Sequence, residues 1–314
     1  MNKLVKIGAT ALAGSLVAFS VNAAEMSVSG GASITYSNTG ADTTNNNFTM
    51  GDSLNFSASG ETDGGLNITY NMEIDGGAED DHSVVIGGDF GTLTFHGSGG
   101  SSALSGIDDM SPNAYEESWD VVSGADTGMI NGNAQTNMFV FESNAMNGIT
   151  LTASYFRGNG TDTGKSNTSG TSLGITYAPE AVEGLTLGYA VEEDESTAGT
   201  SIDESSMYVT YATGPVTVGI SMAESDHPTA ASSKEFEAGG ITYAVNDDFS
   251  IGYNVSKLTT PNDATDADQD ASGVSFSYTM GGMTVAGAVN SVDNAGFSST
   301  ADRDGAEIGV SFAF

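Results

Sequence analysis

The sequence predicts an all-β protein: a sixteen-stranded antiparallel barrel that crosses a membrane. Three observations predict it. Apolar and small polar residues alternate from end to end of the chain, which is the period of strands whose two faces meet different surroundings. The alternating segments number sixteen, an even count, and short connections take turns with longer ones, as in an up-and-down meander through a bilayer. The chain ends on an aromatic residue, Phe314, in phase with Ala306, Ile308, Val310 and Phe312 of "AEIGVSFAF".

In chain order, Lys3 and Lys6 come first and lead into an apolar run over residues 7–21, closed by the small residues Asn22, Ala23 and Ala24. That is a secretory signal peptide, and the expected division is 1–23 removed and 24–314 forming a single barrel. The run is too short for a spanning helix, which needs roughly 18–20 apolar residues, and no later stretch approaches that length. The sixteen segments follow near residues 26–36, 51–60, 65–74, 83–88, 91–98, 136–143, 148–157, 170–178, 184–193, 204–213, 215–224, 235–244, 248–257, 270–280, 282–292 and 304–314. In the third, Leu66, Ile68, Tyr70, Met72 and Ile74 share one face, while Asn67, Thr69, Asn71 and Glu73 share the other. In the ninth, Leu185, Leu187, Tyr189 and Val191 oppose Thr186, Gly188, Ala190 and Glu192. Tight turns are expected at 61–64, 89–90, 214–215, 246–247 and 281–282, and the other connections are longer and rich in Asp, Glu, Ser, Thr, Asn and Gly. The longest is 99–135, where the pattern leaves room for one short helix. Tyr36, Tyr70, Tyr155, Tyr177, Tyr189, Tyr211, Tyr243, Tyr253 and Tyr278 all fall in strands, several near strand ends, where aromatic girdles of membrane barrels sit.

Charge and composition narrow the reading further. With Lys3 and Lys6 removed, five basic residues face 41 acidic ones, a formal balance of −36, which excludes nucleic acid as a partner. The chain has no cysteine, unlike a small exported module stapled by disulfides. A soluble sandwich would carry Lys, Glu and Arg on its polar faces, whereas these faces hold Ser, Thr, Gly, Asn and Ala, with charge gathered at segment ends. Lysine and arginine are absent from strand middles, as expected if one face meets hydrocarbon, where either would cost about 2–4 kcal/mol near the midplane. A closed sheet also pairs every backbone group in the hydrocarbon region without helices. A barrel of sixteen strands is too wide for side chains to fill and leaves an aqueous channel. His82, His96 and His227 lie in different segments without metal spacing, and no catalytic constellation is present, so an enzyme is not expected.

At "VVIGGDFGTLTFHG" the sequence resembles the general porins of Gram-negative bacteria, especially the alphaproteobacterial type, through Gly88, Asp89, Phe90, Gly91, Thr92, Leu93 and Thr94. The layout matches as well, with "GITL" and "GLTL" strand starts at Gly148 and Gly184 and a terminal Phe like the insertion signal of outer-membrane barrels. The resemblance implies an outer-membrane barrel whose long third loop folds into the lumen as a constriction, here 99–135. It further implies a homotrimer; the expected activity is passive diffusion of small hydrophilic solutes and ions, with outer-membrane lipid and lipopolysaccharide as surroundings, the latter through divalent ions held by the acidic clusters at 192–195 and 263–270, and no cofactor is expected. Relatives usually follow this strand with Gly-Arg, the arginine joining a basic wall opposite acidic loop residues; this chain has His96-Gly97. Its remaining basic residues, Arg157, Lys165, Lys234, Lys257 and Arg303, lie at segment ends or in long loops. A mostly negative constriction with cation preference is therefore expected.

The constriction candidates are Asp108, Asp109, Glu116, Glu117 and Asp120, with His96 on the facing wall. Fixed charge beside a narrow, low-dielectric pore is poorly screened and attracts cations; the plainer reading is that some of these acids only fold the loop. Glu73 and Glu192 point to the polar face near outer strand ends and are vestibule candidates, as is Arg157 at the end of its strand. Crowded carboxylates such as Asp108 and Asp109 are weak candidates for Ca²⁺. "DATDADQD", with Asp263, Asp266, Asp268 and Asp270, lacks the glycine and the closing glutamate of a helix-loop-helix calcium site, and "EEDE" at 192–195 reads as a solvated loop. The alternatives are a substrate-specific outer-membrane channel or, in another class, a secreted calcium-binding β-rich adhesin or surface protein.

Overall fold

The computed structural model of the chain describes residues 25–40, 47–126, 130, 132, 134–157, 167–196, 201–228, 232–260 and 267–314. The expected signal peptide, Lys165, Asp263 and Asp266 lie outside them. Among the described residues eighteen strands follow one another: β1 (Glu25–Asn38), β2 (Phe48–Glu61), β3 (Asn67–Asp75), β4 (Ala78–Gly88), β5 (Gly91–Ser98), β6 (Gly100–Ser101), β7 (Ala134–Gln135), β8 (Met138–Glu142), β9 (Ile149–Phe156), β10 (Asn167–Tyr177), β11 (Leu185–Ser196), β12 (Ser201–Thr213), β13 (Val216–Asp226), β14 (Lys234–Ala244), β15 (Phe249–Thr259), β16 (Gln269–Met280), β17 (Met283–Asp293) and β18 (Arg303–Ala313). Sixteen of them close an antiparallel barrel in chain order, and β6 and β7 form a separate two-stranded ladder. Each of the sixteen expected segments is a barrel strand. The described residues contain no α-helix, so the short helix allowed inside 100–135 is not formed there; those residues make turns instead.

Closure joins β1 to β18 in register from Gly31↔Ala313 to Asn38↔Ala306. The terminal residue extends the seam, since Gly30 N–H donates to Phe314 O at 2.8 Å and Phe314 N–H donates to Gly30 O at 3.0 Å. The last aromatic thus ends the ladder that removes the sheet's free edges, the step an open sheet in hydrocarbon requires.

The apolar phase stays uncovered around the barrel. Val289 is 63% exposed, Leu173 64% and Phe314 71%, and all nine strand tyrosines named above are exposed with them. An apolar belt this extensive far exceeds what a soluble monomer leaves to water. No helix among the described residues is long and apolar enough to cross a membrane, and the spanning elements are the strands. Val274, exposed in the middle of β16 between Tyr253 and Val289, gives a direct check. Val274→Arg is expected to destabilise the barrel in lipid vesicles by about 2–4 kcal/mol, read as a lower urea midpoint. An unchanged midpoint would mean that this face does not meet lipid.

Toward their outer ends, strands β13 to β17 invert the pattern. The phase that carries Ile220, Val255 and Val274 lower down carries Glu224, Glu235, Glu237, Lys257, Asp270 and Asp293 higher up, all exposed. The opposite phase changes from Ser, Gly and Asn to the buried Ala223, Phe236, Ala238, Leu258, Ala271 and Val292. Above the belt, therefore, water meets the phase that met apolar surroundings below, and the polar-face phase gains an apolar partner of its own.

Two sequence expectations are corrected. The connection expected over 75–82 is a two-glycine hairpin, because Gly76 and Gly77 take φ of 56° and 83°, the left-handed pair a tight turn demands, and β4 begins at Ala78. The "EEDE" stretch is strand, not solvated loop. Alternation continues through it, leaving Glu193 and Glu195 exposed while Glu192 and Asp194 are 4% and 5% exposed on the polar face.

Candidate functional site

The long segment after β5 is held by contacts to polar-face side chains of many strands. In its first limb Ser102 donates its hydroxyl to the Glu192 carboxylate of β11, and Ala103 N–H donates to Ser172 Oγ of β10 at 2.8 Å. Leu104 and Ile107 pack with Ala190 and Tyr208 of β11 and β12. In the middle, Asn254 of β15 donates Nδ2 to Ser111 Oγ at 2.7 Å. Ala114 N–H donates to Ser275 Oγ of β16 at 3.0 Å, and Tyr115 donates its hydroxyl to Glu307 of β18 at 2.7 Å. Wall side chains thus satisfy backbone groups that a helix would have satisfied internally, which is why no helix is needed here.

The second limb is pinned by an apolar cluster. Trp119, the only tryptophan, is 3% exposed and meets Phe236 edge-on with ring centroids 5.1 Å apart. Val122, Leu258, Ala271 and Val292 belong to the same cluster. Val121, between these anchors, has φ of 65°, a backbone state that a β-branched residue adopts only when its surroundings impose it. Asp126 ends the limb: its carboxylate takes Lys234 Nζ at 2.6 Å, its N–H donates to Gln269 Oε1 at 2.8 Å, and its carbonyl accepts from Gln269 Nε2 at 2.8 Å. Arg303 Nη1 donates to Ser123 O at 2.5 Å.

Between the limbs lie the acids. Asp108 is buried, Asp109 is exposed, and Glu116, Glu117 and Asp120 are half-buried. Glu116, Glu117 and Asp120 bring three carboxylate oxygens within 4.8 Å of one another, and Asn113 donates Nδ2 to Glu117. Burial, and then the nearby Glu192 charge against opposing backbone hydrogen bonds, pushes Asp108 up to about 7. Asp109 is pushed up to about 7, first by partial loss of water and then by the neighbouring Glu117 carboxylate. Asp120 is raised to about 8 by burial and by its contact with Glu117. Glu116 is raised by burial and by the charges of Glu307 and Glu117. Burial followed by the Glu307 carboxylate keeps the Tyr115 phenol protonated well above its ordinary range. These are the effects expected of like charges crowded away from water.

None of the other sequence candidates joins the group formed by Glu116, Glu117 and Asp120. His96 is half-buried on β5, paired with Ser83 and Met138. Glu73 accepts from Asn55 Nδ2 at 3.4 Å and has its carboxylate near those of Asp80 and Asp81. Glu192 grips the first limb of the loop and lies near Asp194 and Glu204. Arg157 is exposed just beyond β9. Asp108 and Asp109, the calcium candidates, are not among the three-carboxylate groups formed by the described residues; Glu116, Glu117 and Asp120 are. Three basic residues are already engaged: Lys234 with Asp126, Arg303 with Ser123 O, and Lys257 with Asp268 at 2.6 Å. None of these contacts involves Asp109, Glu116, Glu117 or Asp120.

Sequence reasoning missed Trp119 with Phe236, and also the amide anchors Asn254, Gln269 and Asn290. A signal was present for the first: Phe236 stands in the polar phase of its strand between Glu235 and Glu237, an inversion that only an apolar partner on that face explains. The amides looked like ordinary polar-face residues.

A closed sixteen-stranded sheet with an uncovered apolar belt, tyrosines along it and a polar opposite face defines a membrane-spanning β-barrel of the porin class. The chain belongs to the Gram-negative porin family, whose model matches residues 8–278. Its place is accordingly the outer membrane, as a channel protein. Solved structures share the architecture. A triple mutant of Rhodopseudomonas blastica porin is 18% identical, with a TM-score of 0.68 over 92% of this chain and 100% of that one. An anion-selective porin from Comamonas acidovorans is 13% identical, with a TM-score of 0.67 over 93% and 100%. A loop-deletion mutant of OmpT, an outer membrane protein of Vibrio cholerae, is 15% identical, with a TM-score of 0.67 over 93% and 100%. At these identities the likeness is one of fold. No curated protein matches the chain.

Proposed function

We propose that this porin is a general diffusion channel for small hydrophilic solutes and ions, with a preference for cations. In this reading the segment 99–135 lies inside the barrel as its constriction, and Asp109, Glu116, Glu117 and Asp120 set the sign of the selectivity. Asp108 stands behind them, His96 faces them, and Glu73, Glu192 and Arg157 belong to the outer vestibule. One observation carries the proposal: Glu116, Glu117 and Asp120 gather in the middle of the loop with Asp109 interacting with Glu117, while Lys234, Arg303 and Lys257 are each tied to other groups. With these three cations engaged away from the four acids, the field at the constriction is negative, which concentrates cations and repels anions.

The same reading takes residues 1–23 as an export signal, the mature chain as one subunit of a homotrimer, and the exposed acids above the belt as facing the lipopolysaccharide layer. The protein needs no cofactor and performs no catalysis. The experiment is conductance of the purified protein in planar bilayers. Discrete ohmic steps that grow with salt, together with uptake of small sugars into loaded vesicles without saturation, are expected. Block saturating with one solute would replace general diffusion by a substrate-specific channel, and failure to insert would leave the secreted adhesin.

A further inference from the structure

We infer that Asn290, on the polar face of β17, is a positioning residue for ion selectivity, its buried amide holding the turn that presents Glu116, Glu117 and Asp120. The inference rests on the proposed role of those carboxylates. Asn290 is 1% exposed, and its Nδ2 donates to Glu117 O at 2.6 Å and to Asp120 O at 2.8 Å. These carbonyls stand at the two ends of one tight turn, in which Asp120 N–H donates to Glu117 O at 3.2 Å. One side-chain amide therefore fixes both ends of the segment that carries the cluster.

The chemistry of the anchor suits that task. Glu117 and Asp120 are gripped through their backbone carbonyls, so the anchor itself occupies neither carboxylate. A lysine or arginine could donate to the same carbonyls, but it would place a positive charge beneath the cluster and offset part of its field. An amide donates without charge, and it does not titrate over the range in which the carboxylates do. Its seat is made by Gly273, the residue directly opposite on β16, where any Cβ would collide with Asn290 Oδ1. That Oδ1 has no hydrogen-bond partner among the described residues. A buried acceptor left unpaired opposes stability, so the use of this residue lies on its donor side, which acts on the turn.

The test compares zero-current potentials across planar bilayers in a KCl gradient for Asn290→Ser and Gly273→Ala, each first shown to be folded by heat-modifiable migration in detergent gels. Neither variant changes a charge. Both are expected to lower the cation-to-anion permeability ratio about twofold or more, because a carboxylate's pull on an ion falls as it retreats from the path. A merely structural residue would lower the unfolding midpoint and leave the ratio alone. A wild-type ratio in folded Asn290→Ser overturns the inference, and Gly273→Ala decides it in the same way if the serine variant does not fold. The triple amide variant Glu116→Gln, Glu117→Gln, Asp120→Asn separates the two levels. If it too keeps the wild-type ratio, the reading of the carboxylates fails; if it alone loses the ratio, only the role of Asn290 fails.

Discussion

Converting Asp109, Glu116, Glu117 and Asp120 together to their amides is expected to lower the cation-to-anion permeability ratio about fivefold or more. Two unit charges about 4 Å apart interact by about 1 kcal/mol even in bulk water, and by more beside a low-dielectric wall, and each kilocalorie is about a fivefold factor. Asp108 is left intact because it is buried and contributes less to the path than the four. The substitutions keep size and hydrogen-bonding capacity, and Glu117→Gln still accepts from Asn113. The loop should therefore stay in place while its charge goes. Single-channel conductance in KCl should fall as local cation concentration falls, and the unfolding midpoint should hold or rise, because like charges crowded away from water are removed. A variant that folds and keeps the wild-type ratio would move the selectivity away from this cluster.

Selectivity is also expected to depend on pH in an unusual window. Ordinary exposed carboxylates titrate near pH 4, whereas Asp108 and Asp109 are raised to about 7 and Asp120 to about 8. Raising the pH from about 6 to 9 ionises these groups, makes the constriction more negative and should raise cation preference. Lowering it below that range should weaken the preference before the outer loops titrate. The same shifts bear on the hold of the loop. A carboxyl whose folded pKa lies above its unfolded value favours the packed loop fully below about pH 4 and loses that contribution as pH rises through about 7 to 8. Open-channel current noise should therefore increase over the interval in which selectivity increases. A ratio that changes only between about pH 3 and 5 would show that the loop acids titrate as if exposed.

Much of the barrel was legible because a membrane strand writes its surroundings into a two-residue period. Tyr189 and Val191 against Ala190 and Glu192 is such a record, and it survives into the structure as exposed and buried alternation. The acidic loop was legible through its length and its place after "GGDFGTLTFHG". The outer strand ends were harder to read. There the apolar side of the ladder moves to the polar-face phase at Phe236, Leu258 and Val292, and the period alone does not say which layer a face meets. The anchors of the loop were hidden for a different reason. Gln269 and Asn290 act through contacts with Asp126, Glu117 and Asp120 more than a hundred positions away, and nothing local marks a polar-face amide as a clamp. The carboxylates Asp108 and Asp109, adjacent in sequence, also part company in the fold, one buried and one exposed.

The sign of the wild-type zero-current potential tests the central claim most directly. With the purified porin in a planar bilayer, a KCl gradient, and a pH above the range of Asp120, the account predicts that the dilute side becomes positive, because potassium crosses ahead of chloride. A potential of the opposite sign, with chloride leading, would contradict it.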